Sequence, residues 1–391
     1  MKKFLAFILT FTFLVSISCY AYASDSESRK NKNNDIIKSA IESDLYDLLL
    51  TIKDSSRDYE LKEFELDSIE LYNHVQIENI LSSGEFDESV IHIPVSIDDN
   101  ILLVFDIIGN ENNYSTTLGV DFAPLLAELT VQNEERAYFI QENFSIFAVT
   151  PESIYEQCGR NINNINESEL SDAMVNAVKN IRDNNQFNKL NVISNEYTDT
   201  LSEVISESEN SIAPKVLTVK KNLTNYPIVH QRIGTVQHGM CWAATVASIA
   251  RFERPNTWGS LSAQNVCDYM GIGYDDGGTN AQARTALNHY LGSPYVPTIK
   301  GVLSKSAIKT VIDNNDPAYI QARRKKNVIS YEYHAVALAG YNFSDNNNLK
   351  VRIMDPAYEV FKICAYNGSK WTFAFGSQTY TWYKTIRLLY S

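Results

Sequence analysis

Gln237-His238-Gly239-Met240-Cys241-Trp242-Ala243-Ala244-Thr245 is the stretch that decides how this chain is read. The apolar run continues to Phe252, which predicts one alanine-rich helix over Cys241–Phe252, apolar on most faces and therefore buried. Arg254-Pro255-Asn256 ends it. Cys241 falls in the first turn, where the positive end of the helix dipole favours a thiolate, the nucleophilic form of the side chain. A cysteine ahead of an apolar helix is on its own more often a core residue, so the rest of the chain has to supply the chemistry.

Two later segments do so. His334-Ala335-Val336-Ala337-Leu338-Ala339-Gly340-Tyr341 reads as a short apolar strand entered by a histidine, and Leu349–Met354 as its return strand, closed by Asp355-Pro356. A hairpin turning near residue 345 sets His334 opposite residue 356 or 357, with Asp355 one or two positions away. Neighbouring cross-strand positions lie about 5–8 Å apart, within reach of a carboxylate and an imidazole. Cysteine, histidine and aspartate then have the roles of nucleophile, proton relay and ring-orienting acid. An oxyanion on an acyl carbon needs donors: the Cys241 backbone N–H is one, and the side-chain amide of Gln237 offers a second. His230, His238 and His289 are the local competitors of His334. His238 stands too near Cys241 in sequence for a sheet to set their contact, and His289 falls within a helix.

Cys241-Trp242-Ala243-Ala244, then His334-Ala335-Val336, then Asp355-Pro356 resembles the papain-like cysteine proteases, in the branch related to bacteriocin-processing peptidases, where Asp replaces Asn. The resemblance covers roughly residues 225–391. It implies a papain-like fold, with a central helix bearing Cys241 packed on an antiparallel sheet bearing His334 and Asp355. It also implies Gln237 as the oxyanion-hole residue, with one departure: the family glutamine stands further upstream of its cysteine, and Gln231 is the weaker substitute. The function implied is a cysteine endopeptidase acting on protein or peptide through a thioester, with no cofactor and no metal. The same residue set also serves amidases and acyltransferases acting on cell wall or isopeptide bonds, and a non-catalytic binding protein on this fold is the third reading.

With 391 residues the chain is long enough for two domains behind a targeting segment. Lys2 and Lys3, the uncharged apolar run Phe4–Tyr20 and Ala21-Tyr22-Ala23 form a signal-peptide pattern with cleavage after Ala23, hence a secreted protein. Cys19 raises a lipoprotein alternative, disfavoured because Ser16-Ile17-Ser18 lacks the usual large aliphatic residue. No other run is long enough to span a bilayer. Of the five cysteines, Cys158, Cys241, Cys267 and Cys364 follow the signal. They form no CxxC pair for zinc, and Cys267 and Cys364 are either buried apolar residues or a bridge.

Charge divides the chain at about Val216. From there on, about 19 Lys and Arg face about 10 Asp and Glu, which leaves about 15 and 37 before it. An acidic half and a basic half attract each other. The pattern is read as an acidic pro-segment (residues 24–197) docked on a peptidase domain (222–391), against two independently soluble domains whose charges merely differ. The polar stretch 198–221 is the expected linker and processing site. Nucleic-acid binding is a poor account of the basic half, because Arg323-Arg324-Lys325-Lys326 has no interleaved aromatics.

The fold class is α+β in both halves. In the first, Ile37, Ala40, Ile41, Leu45 and Leu48 repeat at helical spacing. Ile91–Ile97 alternates like a strand that Pro94 places at an edge. Ile101–Ile108 and Phe139–Thr150 read as strands and Leu170–Ile181 as a helix, with no catalytic signature; His74 and His92 read as structural or surface residues. In the second, helices over Ser260–Met270, Asn280–Leu291 (Thr279 as N-cap) and Ser304–Asn314 precede strands Ala318–Ala322, His334–Tyr341, Leu349–Met354, Glu359–Ala365, Trp371–Phe375 and Lys384–Tyr390.

Overall fold

A computed structural model describes residues 33–59, 61–80, 89–110, 113–190, 192–210, 219–327, 329–343, 349–367 and 370–390. The expected signal peptide, its cleavage point and Cys19 lie outside them.

The second half follows its periodicity closely. Helix Cys241–Glu253 is buried along Trp242–Ala250. It packs on the strand Tyr331–Phe343 and on helices Ala263–Met270 and Asn280–Leu291. Thr279 caps the last of these as expected, its hydroxyl accepting from the Gln282 N–H. The strands Leu349–Asp355, Tyr331–Phe343, Ala318–Lys325 and Gln378–Tyr390 then lie side by side, all antiparallel. Tyr295–Lys300 adds an edge strand that the sequence does not announce, since Pro294 stands directly before it and Pro297 within it.

The sheet does not stop at the boundary between the halves. Val360–Ala365 pairs on its outer side with Asn113–Gly119, with Lys362 opposite Gly119 and Cys364 opposite Thr117. Asn100–Asn110, Val90–Ile97 and Ile69–Leu71 continue it, giving a 12-stranded sheet among the described residues. The N-terminal region is therefore joined edge to edge to the second half, where a separate unit was expected. Its remaining strands form a second sheet of six.

Opposite charge accompanies the join. Lys362 is completely buried, with Nζ 2.7 Å from Asp121 and 3.5 Å from Asp106. Asp106 also accepts from Thr117 Oγ1 at 2.8 Å and meets His92 Nδ1 at 2.7 Å. Burial would raise the Asp106 carboxyl, but Lys362 and His92 outweigh it and hold the group below its ordinary value. Lys350 meets Asp47, and Lys220 meets Asp54.

Three expectations change. The linker beginning at Thr198 is instead the second part of a helix, Asn195–Asn210, because Tyr197, Leu201 and Ile205 recur every fourth residue and are buried; 211–218 lie outside the described residues. Lys220 and Lys221 fall in strand Val219–Asn222, which pairs with Tyr331–Phe343. Pro94 does not mark the sheet edge: the three-residue strand Ile69–Leu71 lies outside it. The Pro94 carbonyl accepts from the Tyr72 N–H just past that short strand, so the missing donor costs little there.

Candidate active site

The strand pair Tyr331–Phe343 and Leu349–Asp355 sets the geometry. Its register runs Tyr341 to Val351 and Gly340 to Arg352, slips by one residue, then runs Leu338 to Ile353 and Ala337 to Met354. Continued, the register sets His334 opposite residue 357 and Asp355 opposite Val336. His334 and Asp355 thus share one face, two positions apart along it. The contact follows: His334 Nε2 lies 2.9 Å from Asp355 Oδ1, with both side chains fully buried. The same oxygen accepts from the Ala357 N–H at 2.9 Å, so the turn after the strand fixes the carboxylate.

Cys241 starts its helix without a side-chain cap, because Met240 at the N-cap has no acceptor to offer. The first-turn N–H groups are therefore not taken by a cap, which is the condition for binding an anion there. Gly239 lets the chain pass close to the backbone of Asp275: a side-chain carbon there would fall 2.7 Å from the Asp275 carbonyl oxygen. Cys241 is partly exposed, whereas Cys158, Cys267 and Cys364 are buried; all four thiols are free, so the bridge between Cys267 and Cys364 is not formed. Burial pushes Cys158 up to about 11 and Cys267 up to about 12.

Burial by itself would lower the His334 imidazole, but the charge of Asp355 and the hydrogen bond to it outweigh burial. Cys241 adds to the same effect, and the group is raised to about 10. The imidazole is thus cationic at neutral pH. One nitrogen is committed to Asp355, and Nδ1 has no hydrogen-bond partner among the described residues.

The other histidines are occupied elsewhere. His238 Nδ1 meets Asp275 at 2.8 Å, His230 Nδ1 lies 3.0 Å from the Arg232 carbonyl, and His289 stacks on Tyr269. Gln237 donates from Nε2 to the Ala357 carbonyl at 2.6 Å, which ties it to the turn that holds Asp355. Gln231 is buried and donates to the His238 carbonyl at 3.0 Å. Gln237 ends a short hairpin in which it pairs with Arg232, and Gln231 directly precedes that hairpin.

The model of the Peptidase_C39 like family matches residues 223–374. The match supports a papain-like, cysteine-peptidase-type domain. No curated protein matches the chain. The matched span encloses Cys241, His334, Asp355, Gln231 and Gln237. Around the imidazole, however, this peptidase-type domain is completed from outside that span. Phe375 packs edge-on against His334 with ring centroids 4.6 Å apart, and Phe144 lies over it at 4.8 Å and 36°. Phe144 was missed because Phe139–Thr150 reads as one strand. It is a hairpin, Arg136–Glu142 and Ser145–Val149, turning on Asn143 and Phe144. Asn143 takes φ 54°, a turn signal that a neighbouring glycine usually makes visible.

Proposed function

We propose that the chain is an exported cysteine endopeptidase made as a zymogen. Its signal peptide is cleaved after Ala23, and its acidic half acts as an intramolecular pro-segment. The observation that carries the catalytic reading is the buried His334–Asp355 pair, whose imidazole is raised further by Cys241. In the reaction the Cys241 thiolate attacks the peptide carbonyl, and the electron pair of that C=O moves onto oxygen. The Cys241 N–H holds the oxyanion, with the second N–H of the Gln237 amide, whose first goes to the Ala357 carbonyl, as the further donor. It collapses as the C–N bond breaks, and His334 gives its proton to the leaving amine. Water, deprotonated by His334, then attacks the thioester; acid is released and the thiol regenerated. Asp355 orients the ring throughout.

The ion pairs joining the halves support the docking part of this reading. A cut between the helix Asn195–Asn210 and the strand Val219–Asn222 would leave the halves held together by the shared sheet. The test compares the full chain with Cys241→Ala on casein and on purified cell wall, with N-terminal sequencing of any chain fragments. Casein hydrolysis and a cut between residues 210 and 219, both confined to the parent, are expected. Hydrolysis retained by Cys241→Ala refutes the mechanism, cleavage of cell wall alone refutes the endopeptidase reading, and identical fragments from both forms refute self-processing.

A further inference from the structure

His334 has no exposed side-chain surface, although its strand lies at a site that substrate must approach. The cover is aromatic and comes from two directions: Phe375 from the end of strand Thr372–Phe375, just before the turn into the last strand, and Phe144 from the N-terminal half. It is selective, since Cys241 stays partly exposed while its base is enclosed. An inhibitory plug would do the reverse and bury the nucleophile.

The hairpin tip bearing Phe144 is fastened to the turn bearing Phe375. Gln141, just before the tip and completely buried, donates to the Phe375 carbonyl at 3.1 Å and accepts from the Ser377 N–H at 2.7 Å. Gln378 donates to the Asn143 carbonyl at 2.7 Å. Gly376 makes the approach possible: it takes φ 59°, and a side-chain carbon there would fall 2.4 Å from Gln141 Oε1. One latch thus sets both rings on the imidazole.

We propose that Phe144 is a positioning residue of the catalytic site, lent by the N-terminal half, which keeps water off the His334–Asp355 hydrogen bond and holds the imidazole toward Cys241. The inference rests on the assignment of Cys241, His334 and Asp355 as catalytic. The physical reason is local polarity. A hydrogen bond to a charged group is stronger where water is excluded. Asp355 Oδ2 has no hydrogen-bond partner among the described residues, so water admitted under Phe144 would bond to it and loosen its hold on the ring. It follows that the maturing cut nicks the chain without releasing the N-terminal half, which stays bound through the shared sheet as part of the working enzyme.

The test uses the full chain and a readout that needs no substrate: the rate at which iodoacetamide alkylates Cys241, followed from pH 5 to 9 by peptide mapping. A parent Cys241 that labels in acid no faster than a free thiol overturns the ion pair, and the inference with it. Given acid-reactive Cys241 in the parent, Phe144→Ala slows labelling at the acid end about tenfold, equivalent to losing about one pKa unit of thiolate stabilisation by the imidazolium. It lowers kcat/KM by a similar factor, and Phe144→Trp restores both. Unchanged labelling in Phe144→Ala overturns the proposal, and so does a rise in activity, which would make the hairpin a plug. Should the alanine form fail to fold, Phe144→Leu, which keeps apolar bulk without a ring, is expected to fall between parent and alanine. Parent-like behaviour of that variant would overturn the role of the ring.

Discussion

Replacing Lys362 by Met tests whether the two halves are one folding unit. The ammonium is fully buried between two carboxylates that are each about 3% exposed, at 2.7 Å and 3.5 Å. Without it, Asp106 keeps His92 and Thr117. Asp121 keeps nothing comparable among the described residues: there its Oδ1 already lacks a partner, and Oδ2 loses its one donor. Stranding one member of a buried ion pair costs about 3–5 kcal/mol, and that is the expected loss for Lys362→Met. Adding Asp121→Asn removes the stranded charge, so the double variant should recover at least about 1 kcal/mol of the loss. Urea unfolding measures both, with two probes. All four tryptophans lie beyond residue 240, so fluorescence reports the second half alone, whereas far-ultraviolet circular dichroism reports both. Coincident transitions are expected in the parent. A loss below about 1 kcal/mol, or a parent whose two probes separate, would refute the argument that this contact binds the halves into one unit.

Three further outcomes are expected. Asp355→Ala lowers kcat by about 10²–10⁴-fold with Cys241 still alkylated, because the acid orients without reacting; kinetics at parent level would remove Asp355 from the site. His334 is raised to about 10, so the stability its charged form lends is complete below an ordinary histidine pKa and is lost as pH rises through 10. The alkaline limb of activity should therefore lie well above pH 7, and Asp355→Asn should move it down by at least about one unit; a limb that stays put counts against the pairing. Glu253 is pushed up to about 7, first by burial. A raised carboxylate favours the fold below its unfolded pKa and loses that contribution as pH climbs through 7. Glu253→Gln should therefore stabilise at pH 8 by about 1–2 kcal/mol and hardly at all at pH 5, as read from thermal melts at both values.

The second half was legible because its signals are local. The alanine-rich run, the Thr279 cap and the alternating strands each depend on nearby residues, and a hairpin fixes its own register. That is why His334 and Asp355 can be paired by counting, even though the one-residue slip between Leu338 and Gly340 moves the register. What escaped is non-local or hidden by composition. The helix Asn195–Asn210 buries three apolar residues, Tyr197, Leu201 and Ile205, spaced four apart among serines and glutamates. The pairing of Val360–Ala365 with Asn113–Gly119 joins segments more than two hundred residues apart, and no periodicity encodes a partner at that distance. Phe144 escaped for a third reason: a bulky ring at a turn looks like strand, and its use depends on a surface built by the other end of the chain.

The strand Val360–Ala365 has a practical consequence for anyone trimming this protein. A fragment beginning near residue 222 would leave one side of that strand unpaired, a row of backbone donors and acceptors flanked by Phe361, Ile363 and Cys364. Uncovered edges of this kind recruit a second chain and seed aggregates. The segment Asn113–Gly119 thus also covers an edge that would otherwise promote aggregation, and a fragment lacking it should precipitate whatever the chemistry of Cys241, His334 and Asp355.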